Sequence, residues 1–101
     1  MDNAMDISQK QILRGRILKI CHQAEPLGAG TEVITAALKR EGYPVSKDEV
    51  GEACRYLAGK KLVEIEKIEN KVLNISRDIA HITARGTDVL DGTIPIEGIE
   101  L

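Results

Sequence analysis

A chain of 101 residues with 43% hydrophobic side chains holds one small domain and leaves no room for a second. Its aromatics are two tyrosines, with no Phe or Trp, so the core must be aliphatic. A net charge of −2 excludes a global basic field toward DNA or anionic lipid, and no apolar run approaches the roughly 18 residues of a membrane span.

The opening MDNAMDIS has no apolar segment and does not read as a signal peptide. Residues 1–7 read as an N-terminal extension, 8–92 as the folded domain and 93–101 as a tail. The first predicted helix covers Ser8–Ala24, with Ser8 as N-cap and Leu13, Ile17, Ile20, Cys21 and Ala24 in one apolar stripe. Ile12 and Leu18 fall off that stripe. Lys10, Arg14, Arg16 and Lys19 are four bases with no acid among them. Glu25-Pro26 ends the helix and LGAG reads as a loop. A second helix starts at Gly30 or Thr31, with Val33, Ile34, Ala37 and Leu38 inward, and Gly42 closes it. The short Tyr43-Pro44 connection makes this pair resemble a helix-turn-helix.

Ser46 and Glu49 form S-x-x-E, a capping box, and Val45 and Val50 are placed as a hydrophobic staple. The acids Asp48 and Glu49 then serve the helix N-terminus, where the macrodipole favours negative charge. Val50, Cys54 and Leu57 make the buried stripe of this third helix. Lys47, Gly51, Arg55 and, toward one edge, Glu52 and Tyr56 lie opposite. Gly59, Lys60 and Lys61 end it. LVEIEKI alternates as a half-buried strand, Glu69-Asn70-Lys71 supplies a turn, and Ile79–Ile82 returns as a second strand. Thr83 caps a last short helix, ARGTDVLD, stopped by Gly92. Pro95 and Gly98 keep the tail TIPIEGIEL from being helical. The expected fold is mainly α with a small β-hairpin: a winged helix-turn-helix, three helices plus a wing and a short C-terminal helix.

From Val45 to Ile99 the chain resembles the small winged-helix proteins of Mu-like phages and prophages. VSKDEV, the Val50, Cys54, Leu57, Leu62-Val63 ladder and the closing TARGTDVLDGTIPIEGI carry the resemblance. The first 45 residues match only in helix pattern. In one departure, the glycine usual before the Leu-Val pair is here Lys61. The resemblance implies a phage-encoded DNA-binding protein, a small transcriptional regulator or DNA-associated accessory protein, in the cytoplasm of a bacterial host.

Charge supports a polarised surface. Residues 7–62 hold ten Lys/Arg against six Asp/Glu, whereas 63–101 hold four against eight. Cys21, His22, Cys54 and His81 lack metal-ligand spacing, so no metal or other cofactor is implied. The two cysteines read as reduced core thiols. No phosphate-binding glycine loop or nucleophile–base pair occurs, so neither an enzyme nor a small-molecule ligand is expected. Two classes remain. In the first the partner is double-stranded DNA. Lys47, Arg55 and Tyr56 read bases, and Lys60, Lys61, Lys67, Lys71 and Arg77 contact phosphates. In the second the winged helix is a protein–protein interaction or dimerisation module. A homodimer suits both, with Ile12, Leu18 or the tail isoleucines in its seam.

Overall fold

The computed structural model describes residues 5–101, so most of the expected extension over 1–7 lies outside the described residues. Helix α1 spans Ile7–Gln23 and is capped by Asp6, not Ser8. The Asp6 carboxylate accepts the Gln9 N–H at 2.8 Å, and the Gln9 side chain accepts the Asp6 N–H at 3.1 Å. This reciprocal box satisfies two orphan donors at once. Leu18 is fully buried, contrary to its expected place at a dimer seam. The reason is that α1 is enclosed by several later elements, so its apolar face is wider than one stripe.

Helix α2 spans Thr31–Arg40. Val33 was expected inside but is 65% exposed, and Thr35 is buried instead. The Thr35 hydroxyl is satisfied by donating to the Thr31 carbonyl at 2.7 Å, which makes its burial tolerable. Helix α3 spans Lys47–Gly59 and opens on the expected box: Ser46 Oγ accepts the Glu49 N–H at 3.1 Å, and Glu49 Oε1 accepts the Ser46 N–H at 2.8 Å. Val45 and Val50 are both buried behind it.

The end of α3 explains the Lys61 departure. The Leu62 N–H donates to the Leu57 carbonyl and the Lys61 N–H to the Ala58 carbonyl, both at 2.9 Å, which is a Schellman closure. That closure requires a left-handed residue after the cap, and Lys61 supplies it at φ 63°. A glycine would adopt this conformation without steric cost.

Strands β2 (Val63–Asn70) and β3 (Ile75–Ile82) pair antiparallel without a break, from Val63 opposite Ile82 to Asn70 opposite Ile75. The turn is therefore Lys71–Asn74, beyond the expected Glu69–Lys71, and β3 begins four residues before Ile79. The distal hairpin is solvated on both faces, so its strands lack the alternation that reveals a half-buried one. A third strand, β1 (Ala29–Gly30), pairs with Ala80 and Ile79 of β3, giving the order β1-β3-β2. It lies within the LGAG expected to be a loop. Two residues are too short to carry a periodic signal.

Helix α4 spans Ala84–Leu90. The T-x-R-G stretch before and within it is a tie to the exit of α3. The Thr83 hydroxyl donates toward the Lys61 and Leu62 carbonyls and accepts the Gly86 N–H, while Arg85 Nε donates to the Lys60 carbonyl at 3.2 Å. Gly86 is buried where a Cβ would collide with the Leu62 carbonyl. The aliphatic core draws on every helix and on the proximal half of the sheet; Ile17, Leu18, Ile34, Leu38, Leu57 and Leu62 are fully buried. The tail folds back on its own domain, with Ile94, Ile96 and Ile99 packed against that core.

Candidate nucleic-acid interface

The exposed side of α3 and the hairpin beside it make one surface. Helix α3 leads straight into β2, which turns back along it. The N-terminus of α3 therefore lies beside the middle of β3. A cleft of about 220 Å³ there is lined by Lys47, by Gly30–Val33 at the start of α2, and by Ser76–Asp78. Lys47 Nζ sits 3.1 Å from Glu32 Oε1, with both side chains exposed. That hydrogen bond, with the charges of Lys47 and then Arg77, holds the Glu32 carboxyl below its ordinary range. The cleft thus carries two bases, Lys47 and Arg77, and two acids, Glu32 and Asp78, with only Lys47 within ion-pair distance of Glu32.

The other expected bases divide by position. Arg55 is exposed on α3, with its guanidinium lying back over Gly51. A Cβ at Gly51 would meet that guanidinium only at van der Waals distance, 3.5 Å. Lys67 stands opposite Asp78 in the ladder, and Lys71 opens the hairpin turn. Among the described residues Arg55, Lys60, Lys61, Lys67, Lys71 and Arg77 have no carboxylate within ion-pair distance. Lys60 and Lys61 lie at the far end of α3, about 20 Å from Lys47 at 1.5 Å per residue, and do not join the cleft group.

Tyr56 is turned away from this surface. Its ring lies under Arg14, with the guanidinium carbon 3.5 Å from the centroid, and its hydroxyl is 3.5 Å from the Glu97 carbonyl. Arg14 Nη1 donates to the Gly98 carbonyl at 3.0 Å, and the Glu100 N–H donates to the Gln11 carbonyl at 3.0 Å. Tyr56 is therefore the anchor of the tail. The apolar spacing that places it on the edge of α3 gave no signal of the tail that covers it. His81 is likewise structural. Its Nε2 is 2.9 Å from Glu66 Oε1, and its Nδ1 is 3.9 Å from Glu25 Oε1, which also accepts the Ile82 N–H.

No family model and no curated protein matches the chain. Among solved structures it is similar to a PadR-like transcription factor from Bacteroides fragilis, with a TM-score of 0.73 and 19% identity over 84% of this chain and 79% of that one. The fold is a winged helix. In that frame α3 is the second helix of the helix-turn-helix, β2 and β3 are the wing, and α4 closes the core behind them. Sequence reasoning missed the part of Glu32, which lies in α2 and reaches Lys47 only through the tertiary fold. Among the described residues no helix is long and apolar enough to cross a membrane.

Proposed function

We propose that this chain binds double-stranded DNA through α3 and the wing, as a phage- or prophage-encoded regulator or DNA-associated accessory protein in the bacterial cytoplasm. The observation that carries the reading is the placement of Lys47 and Arg77 on one cleft at the N-terminus of α3, with Arg55 exposed about two turns further along the same helix, on a winged-helix frame. In helix-turn-helix docking that end of the helix meets base edges. Arg55 and Lys47 are the readers. Lys67, Lys71 and Arg77 are the phosphate contacts, and Lys60 and Lys61 reach only backbone at the opposite end. Asp48 and Glu49 do not oppose this, because Glu49 is spent on the capping box and both complement the helix dipole. No chemistry in the reading calls for a cofactor or a catalytic group.

The test is a titration of wild type and Arg55→Ala against random and phage-derived duplexes at two salt concentrations. Arg55→Ala should cost about 1–3 kcal/mol and relax choice at one base pair. Lys71→Ala should weaken all sequences alike and reduce the salt slope by about one. The slope itself should be modest, because Glu64, Glu66 and Glu69 sit on the same hairpin as the bases. The second reading, an interaction or dimerisation module, draws on that acidic hairpin. It requires Arg55→Ala to leave DNA affinity unchanged and residual binding to vanish at physiological salt.

A further inference from the structure

The apex of the hairpin is built in a way that phosphate contact does not explain. Its two central side chains are apolar, and Val72 is 93% and Leu73 64% exposed. They are held out by an ordered turn. The ladder runs in register up to Asn70 opposite Ile75, the Asn70 side chain accepts the Leu73 N–H at 3.1 Å, and Asn74 takes the left-handed conformation at φ 53° that closes the loop. Asn is among the few non-glycine residues that visit this region readily. A rigid turn that presents Val and Leu to water loses their burial, and such a surface commonly marks a binding site.

Resting on the DNA-binding reading above, we propose that Val72-Leu73 is a minor-groove wedge that unstacks a base step and bends the duplex beside the groove occupied by α3. The reach fits. The hairpin meets Lys47 at Ser76–Asp78, and the apex lies five residues beyond Arg77, roughly 15 Å at 3.3 Å per residue. The major groove is about 12 Å wide, so a helix lying in it delivers the apex past one backbone to the next groove. Lys71 flanks the apex and Lys67 and Arg77 follow along the strands, three bases against the one exposed acid, Glu69, between them. Asp78, the acid opposite Lys67, is half-buried rather than presented at the tip. Inserted aliphatic side chains of this size are a known means of kinking DNA toward the major groove.

The experiment uses an A·T-rich duplex of about 30 base pairs, with 2-aminopurine at several adenines and a dye pair at its ends. Binding of wild type should raise 2-aminopurine fluorescence and shorten the end-to-end distance. The double variant Val72→Ser/Leu73→Ser changes only solvent-exposed side chains, so its fold is retained. It should bind about tenfold more weakly, with the salt slope unchanged and both optical signals lost. If both proteins bind alike with no unstacking, the wedge is overturned and the DNA-binding reading stands. If wild type binds no duplex even at low salt, that reading fails and takes the wedge with it. If the substitution changes sedimentation instead, the apex is a protein contact and the wedge is again overturned.

Discussion

Cys21 and Cys54 are buried in the aliphatic core and unpaired with each other. Burial pushes the Cys21 thiol up to about 12 and the Cys54 thiol up to about 11, with lesser charge effects between and around them. Removing a thiolate from water is costly, so both groups stay protonated in the fold. The expected outcome is that neither reacts with a thiol reagent at pH 8 in the native state and both react after denaturation. Rapid native modification of either would contradict its burial. The same shifts set a pH window. Above about pH 9 an unfolded thiol releases its proton while the folded one retains it. The stabilisation is therefore complete below that pH and is lost as pH rises toward 11–12. Urea midpoints measured from pH 7 upward should fall across that window, less steeply in Cys21→Ala than in wild type.

At the scale of elements, the junction between α3 and the wing is where local sequence and tertiary geometry pull apart. Lys61 must be left-handed to close α3 and turn the chain into β2, and Thr83, Arg85 and Gly86 then bolt α4 to that turn. Lys61→Gly removes the strain of a side chain in this region but loosens the unfolded chain. Because Lys61 is exposed and without a carboxylate partner, the strain relief should dominate. A gain of about 0.5–1 kcal/mol by urea denaturation is expected; a loss would mean that Lys61 has a stabilising contact of its own. The tail offers the opposite case. A Cβ at Gly15 would collide with the Glu100 carbonyl, and one at Gly98 with the Tyr56 hydroxyl, where φ is also +89°. Gly15→Ala and Gly98→Ala should each release the tail and open the 93–101 segment to limited proteolysis. The domain upstream of Gly92 should stay resistant. If the tail is cut no faster than in wild type, the close packing is not what holds it.

For the whole molecule, acids stand beside the bases both in the cleft and along the hairpin, and the exposed large apolar side chains are scattered over several elements. Leu18 and the tail isoleucines are spent inside the monomer, which removes most of the expected dimer seam. Ile12, 36% exposed on α1, remains, along with Ile7 and Leu101. A homodimer stays a proposal, now confined to the exposed side of α1. Sedimentation of wild type and Ile12→Glu decides it. A wild-type dimer whose dissociation constant rises at least about tenfold in the variant supports the seam. A wild-type monomer at high concentration ends the idea.

The residues themselves were enough to specify the helices, the box at Ser46, the cap at Thr83 and the proximal wing. Each of these rests on local chemistry: a hydroxyl three residues from a glutamate, or an alternation imposed by one buried face. Lys61 was also marked in the sequence, as a departure from a usual glycine, although the left-handed turn behind it was not. What only the tertiary structure decided involves partners distant along the chain. Two-residue β1 exists because β3 offers it an edge, and Leu18 is buried because α1 is enclosed on several sides. Tyr56 serves the tail because Arg14 and Gly98 meet it there. The distal wing was illegible for the converse reason: with water on both faces, nothing selects which residues alternate. Its register came from the turn that Asn70 and Asn74 build, not from burial.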